Sequence, residues 1–143
     1  MILLDANLLL YAYNSTFEHH KRAKAWLERA LSDPAPVGLP WTTILAFLRV
    51  GTNPRAFPTP LGPDEATTIV SAWLAHPVVV IVGPGDRHWE ILRGLLHSTQ
   101  SRGPRVMDAH LAALAIEHGA TLCTTDNDFK LFPGLRLQNP LET

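Results

Sequence analysis

MILLDANLLLYAY (residues 1–13) sets the reading of the whole chain. Ile2, Leu3 and Leu4 run without polar alternation, the pattern of a short strand buried on both faces. The run stops at Asp5, and a helix-compatible stretch resumes from Asn7. A strand that passes into a helix through one carboxylate is a βα transition with an acid at its rim.

The rest of the chain repeats the alternation. Within residues 18–32, Ala23, Trp26, Leu27, Ala30 and Leu31 recur at helical spacing on one face, with His20 at its N-terminal end. PVGLP (36–40) holds a short strand. Residues 42–52 predict a helix closed by Asn53-Pro54. Residues 62–75 predict another, with Pro63 and two acids in its first turn. VVVIVG (78–83) is a β-branched strand closed by Gly-Pro-Gly. Residues 86–100 predict a helix with Asp86 as N-cap and Trp89, Leu92, Leu95 and Leu96 inward. A loop at 101–105 leads into a helix at 106–119, stopped by Gly119. ATLCTT (120–125) is a strand, 126–129 a turn and 135–138 a last strand. This order predicts an α/β fold, a mostly parallel sheet covered by helices on both faces. Residues 1–143 contain no repeat, low-complexity tract or linker, and read as one domain.

Composition narrows the function classes. Hydrophobic residues make up 46% and charged ones 17% of the chain, proportions of a folded globular protein. Twelve basic and thirteen acidic residues give a formal net charge of −1. Nucleic-acid binding therefore needs a local basic patch or a bound cation. Cys123 is the only cysteine, which excludes an internal disulfide and suits a reducing compartment. No signal-peptide pattern or spanning apolar run is present, so a cytoplasmic protein with no membrane contact is expected.

Two carboxylates follow predicted strands, and a third can reach the same rim from one side. Asp5 ends the first strand; Asp126 follows the strand at 120–125, with Asp128 two residues on; Asp108 lies in the first turn of its helix. Ligands of parallel sheets collect beyond the carboxyl ends of the strands. Acids converging there repel one another unless a cation neutralises them. All-oxygen ligation suits Mg²⁺ or Mn²⁺ rather than zinc. Local roles compete: Asp5 as a helix cap, Asp126 as the cap of a short turn, Asp128 as surface, Asp108 as a partner of the helix dipole. Glu117, nine residues after Asp108, faces away from the site and reads as solvated surface. Arg102 and Arg105 precede Asp108 and read either as phosphate contacts or as a solvated loop. Arg49 reads equally as pocket lining or as one half of a surface salt bridge. Trp26, Trp73 and Trp89 lie on apolar faces, and His110 and His118 read as helix surface or interface.

LLDANLLLYA (3–12), LPWTTILAFLRVGTNPR (39–55), MDAHLAALAIEHGATLCTTDNDF (107–129) and FPGLRLQNP (132–140) together resemble the PIN-domain ribonucleases, and within them the VapC toxins of bacterial toxin–antitoxin pairs. The resemblance implies a three-layer α/β/α sandwich with a central, mostly parallel five-stranded sheet. It implies Mg²⁺- or Mn²⁺-dependent cleavage of structured RNA, at tRNA or rRNA loops. Asp5, Asp108 and Asp126 match the family's metal-binding and catalytic acids, Asp128 its frequent additional acid. Asn7, Thr124 and Thr125 match pocket-lining polar positions. The implied partners are a VapB-like antitoxin, a second copy of the chain, and operator DNA reached only through the antitoxin. One departure stands out. Ala46 occupies the position of the family's helix glutamate, which keeps a catalytically weak, antitoxin-binding PIN domain as the alternative. A receiver-like signalling domain is rejected: it needs paired acids after the first strand and an acceptor aspartate after the third, where this chain has glycine.

Overall fold

A computed structural model describes residues 1–142. Its elements are β1 (Ile2–Leu4), α1 (Ala6–Ala12), α2 (His20–Ser32), β2 (Val37–Leu39), α3 (Trp41–Gly51), α4 (Pro63–Ala75), β3 (Val79–Ile81), α5 (His88–Thr99), α6 (Arg105–Glu117), β4 (Thr121–Cys123), a 3-10 turn (Asn127–Leu131) and β5 (Arg136–Gln138). The five strands form one sheet in the order β3-β2-β1-β4-β5, every neighbouring pair parallel. The chain starts at the centre, steps outward to β3, then returns to the other side of β1. The direction of winding therefore reverses between β1 and β4, and crevices at such reversals are where open parallel sheets bind ligands.

Successive strand residues feed opposite layers. Leu4 and Cys123 join α1–α4 on one face, around Leu8, Leu27, Phe47 and Trp73. Leu3 and Leu122 join α5 and α6 on the other. The first layer centres on an aromatic cluster. Phe47 is fully buried, its ring centroid 4.7 Å from that of Trp73, whose indole N–H donates to Tyr13 Oη at 3.0 Å. Removing such a buried ring costs about 3–5 kcal/mol. In the second layer α6 buries Ala109, Ala112, Ala113 and Ala115, small side chains that let the helix axis lie close to the sheet. Gly38 of β2 serves the same closeness. A Cβ there would stand 2.7 Å from Leu3 Cδ1 and 2.8 Å from Val82 Cγ2.

Several local expectations change. The strand at 78–83 shortens to Val79–Ile81 and lies at the sheet edge, with Val80 and Ile81 over 40% exposed. Asp86 does not cap α5. The cap position is Arg87, and the carboxylate of Glu117 accepts from the Gly85 and Arg87 N–H groups at 2.8 and 2.9 Å. Glu117 is thus a structural acceptor, its side chain 10% exposed, and not solvated surface. Trp89, expected inward, is 66% exposed, because α5 turns Leu95 to the core instead. His110 and His118 do lie at interfaces: His110 Nδ1 is 3.0 Å from His88 Nε2, and His118 Nε2 is 2.8 Å from the Gly83 carbonyl. Among the described residues, no helix is long and apolar enough to cross a membrane.

Candidate functional site

The site grows out of the β1–β4 pairing. Leu4 pairs with Cys123, and the Asp5 N–H donates to the Cys123 carbonyl at 3.0 Å, so the two strands leave the sheet in register. Asp5 and Thr124 therefore emerge side by side. Thr124 is 2% exposed and its hydroxyl is the hub of the rim. It donates to Asp5 Oδ2 at 2.7 Å. With its one proton spent, it accepts from Asn7 Nδ2 at 3.2 Å and from the Asp126 N–H at 3.0 Å. One hydroxyl thus joins the first acid, the second acid and the first turn of α1. A further clamp comes from α3, where the Thr43 hydroxyl donates to the Leu4 carbonyl at 2.8 Å.

The local capping roles hold alongside this network. Asp5 Oδ1 accepts from the Ala6 N–H at 2.8 Å and caps α1. Asp126 Oδ1 accepts from the Asp128 N–H at 2.8 Å and caps the 3-10 turn. Asp108 approaches from the first turn of α6. Asp128 is exposed and lies 3.7 Å from Arg105 Nη2.

The electrostatics show the acids sharing one field. Burial pushes the Asp5 carboxyl up, opposed by the Thr124 and Ala6 hydrogen bonds and reinforced by the Asp126 charge. Asp108 is also pushed up, by burial first and then by Asp126 and Asp5, with Asp128 adding and Arg105 opposing. A cavity of about 700 Å³ opens beside them, lined by Asp5, Asp108, Ala46, Arg49, Thr43 and Met107 among others.

The expected residues fall into three groups. Asp5, Asp108, Asp126 and Asp128 interact at one end of the sheet, with Asn7 and Thr124 wired into the same rim. Arg49 and Ala46 line the cavity, and Arg105 sits against Asp128. Thr125 is half-buried and takes no part in the network, and Arg102 lines a separate depression on α5. Sequence reasoning missed Thr43 and the hub role of Thr124. A threonine one residue past a buried strand, level with an acid on the neighbouring strand, was the available signal.

The donor chemistry fits a hard divalent cation in part. Among the described residues, no three His, Cys, Asp or Glu side chains stand close enough to enclose an ion. Two of the acids, Asp5 and Asp126, spend an oxygen on a backbone N–H. Yet Asn7 Oδ1 is buried with no hydrogen-bond partner, its amide nitrogen being committed to Thr124. An oxygen without a donor, in the network that also holds the Asp5 carboxylate, is a ligand that a hard divalent cation would satisfy.

Comparison with known proteins gives a consistent result. The family described as PIN domain matches residues 2–135. Ribonuclease VapC37 of Mycobacterium tuberculosis is 46% identical over 140 residues, covering 98% of this chain and 97% of that one. Ribonuclease VapC43 of the same organism is 39% identical over 142 residues, covering 99% and 97%. The solved structure of M. tuberculosis VapC20, described as a sarcin-ricin loop cleaving toxin, superposes with TM-score 0.69 at 20% identity, covering 95% and 99%. That of VapBC2 from Rickettsia felis, bound to a promoter DNA fragment, superposes with TM-score 0.68 at 22% identity, covering 97% and 98%. The last two speak to the fold.

Proposed function

The chain belongs to the PIN-domain family, with the VapC ribonucleases as its relatives, and on that premise we propose that it is the endoribonuclease toxin of a toxin–antitoxin pair. Residues 1–143 act as one PIN unit that cuts structured RNA, at tRNA or rRNA loops, with Mg²⁺ or Mn²⁺ as cofactor. The observation that carries this reading is the rim where strand order reverses: the Thr124 hydroxyl bonds both the Asp5 carboxylate and the Asp126 N–H, and Asp5 and Asp108 line one cavity.

Each residue has a task in it. Asp5, Asp108 and Asp126 hold the cation, with Asp128 as a fourth acid and Asn7 Oδ1 as a neutral oxygen. Thr124 fixes Asp5 and the backbone of Asp126 in mutual position. When bound, the cation supplies a water of lowered pKa and neutralises phosphate charge. Arg105, 3.7 Å from Asp128, and Arg49, in the cavity lining, would meet the RNA backbone. An unpaired loop suits a rim site, because the A-form major groove is too narrow to admit side chains.

The proposed partners are a VapB-like antitoxin and a second copy of the chain, with operator DNA reached only through the antitoxin. The 700 Å³ cavity, flanked by Leu45 and Met107 at over half exposure, is the surface on offer for the antitoxin. The second reading, a weakly catalytic PIN domain that chiefly binds its antitoxin, has Ala46 in its favour: it lines the same cavity as Asp5 and Asp108 where a glutamate would add a ligand.

The test is incubation of purified, antitoxin-free protein with total RNA and Mg²⁺, beside Asp5→Asn. Discrete cleavage by the wild type, absent in the variant and abolished by EDTA, supports the enzyme. Identical patterns, or none, support the binding module.

A further inference from the structure

The outer face of α5 takes no part in the acidic site. Trp89, Arg93 and His97 recur at four-residue spacing and so form one exposed row, about 12 Å long from Trp89 to His97. Trp89 is the most exposed large apolar side chain among the described residues. The row borders a depression of about 290 Å³ that Gln100 and Arg102 complete at the C-terminal end of the helix. From there the chain leads directly to the acids. The Arg102 carbonyl accepts from the Arg105 N–H at 3.2 Å, Arg105 lies 3.7 Å from Asp128, and Asp108 follows within the same turn.

The charge of this stretch departs from that of the chain. Between residues 87 and 105 there are four arginines and one acid, Glu90, in a protein whose formal net charge is −1. A flat aromatic ring flanked by guanidinium groups is the pairing that single-stranded nucleic acid uses, bases on the ring and phosphates on the cations. A protein partner would want more apolar area than one tryptophan with the half-buried Leu96 beside it.

We propose that the Trp89–Arg93–His97–Arg102 row binds a single-stranded RNA segment flanking the bond presented to the acids. Trp89 stacks on a base, Arg93 and Arg102 meet phosphates, and His97 and Gln100 supply hydrogen bonds along the strand. Affinity then depends on bases remote from the scissile bond, which makes α5 a determinant of which RNA loops are held. The inference rests on the RNA-cleaving reading of the acidic site and is separable from it by experiment.

The experiment measures binding of fluorescein-labelled decauridylate by anisotropy at several KCl concentrations, with Mg²⁺, using the cleavage-deficient Asp108→Asn full chain as parent. Adding Trp89→Ala is expected to weaken binding about tenfold and leave the salt slope unchanged. Adding Arg93→Ala is expected to weaken binding and reduce the slope of log K against log salt by about 0.7, the value for one lost single-strand phosphate contact. Leu74→Ala, an exposed leucine on α4, is the control expected to bind as the parent does. Parental affinity in both Trp89→Ala and Arg93→Ala, or no binding by the parent, overturns the inference. So does a Trp89→Ala variant that alters sedimentation but not RNA affinity, which would make the row a contact between protein chains. Cleavage by the wild type with parental binding in both variants leaves the enzyme reading standing and removes the track. Loss of binding in a protein that cuts no RNA does the reverse.

Discussion

Helix α6 carries an acid near each end, and the two live in opposite environments. Glu117, its last residue, accepts from two backbone N–H groups, and the Gly85 N–H above all holds its carboxyl below the usual range. Asp108, in the first turn, meets burial and the charges of Asp126 and Asp5, and is pushed up. A carboxylate surrounded by donors is stable as an anion and fastens two elements together. A carboxylate that is partly buried and also feels the charge of other carboxylates costs the fold free energy at neutral pH. The contrast separates a structural acid from one kept in place for a cation, and strongly perturbed groups in clefts are where function concentrates.

The largest test of that contrast is loss of chemistry without loss of fold. Asp108→Asn and Asp126→Asn are each expected to lower RNA cleavage by about a hundredfold or more, judged from what single charge-stabilising groups contribute. For Asp108→Asn, circular dichroism should show an intact fold and a metal-free Tm equal to or slightly above that of wild type, since the cost of burying a charge, and its repulsion by Asp126 and Asp5, are removed. Parental cleavage in either variant would break the assignment.

Ala46→Glu sharpens the contrast by deepening the acidic end. It is expected to lower the metal-free Tm and to tighten Mg²⁺ binding about tenfold, read by thermal shift across an Mg²⁺ series. A fall in Tm that Mg²⁺ does not reverse would mean that the new carboxylate cannot reach the ion.

At the other end, Glu117→Gln is expected to lower Tm by a few degrees while leaving RNA cleavage unchanged, because it removes the charge and one of the two acceptor oxygens at the start of α5 without touching the cavity. A loss of cleavage with unchanged Tm would invert the two roles.

The smallest effect is in pH. Glu117 titrates lower in the folded chain than the 4.5 of an unperturbed glutamate, so its stabilisation is present above that pH and is lost as pH falls through its folded value. Asp5 and Asp108 titrate above the 3.8 of an unperturbed aspartate. Their contribution is fully present below that pH and is lost as pH rises through their folded values. Metal-free protein should therefore gain slightly in Tm as pH is lowered from neutrality through the raised values of Asp5 and Asp108, and lose the Glu117 contribution once pH falls below the 4.5 of an unperturbed glutamate. Asp108→Asn should flatten the first limb, and Glu117→Gln the second.

Much of the acidic end was legible in the sequence, because strand-ending acids are local features. Asp5 and Asp126 were placed by the apolar runs before them, and the parallel order then brought them together. Ala46 was flagged by a pattern, and it does line the cavity. The other end of α6 was not legible. Glu117 reaches the N-terminus of α5 across 32 residues of chain, a contact that helical periodicity cannot carry. Trp89 was misread for a related reason. An aromatic residue in an amphipathic helix is assigned to the core by default, but α5 packs through Leu95, and the row bearing Trp89 turns outward. The Thr124 hub stayed hidden because its three partners, Asp5, Asn7 and Asp126, come from two strand ends.

Calorimetric titration of Mg²⁺ into the full chain, wild type beside Asp108→Asn, tests the central claim most directly. Saturable binding by the wild type, weakened at least tenfold in the variant, is the predicted result. Equal binding by the two proteins, or none by the wild type, would contradict the claim that these acids gather to hold a cation.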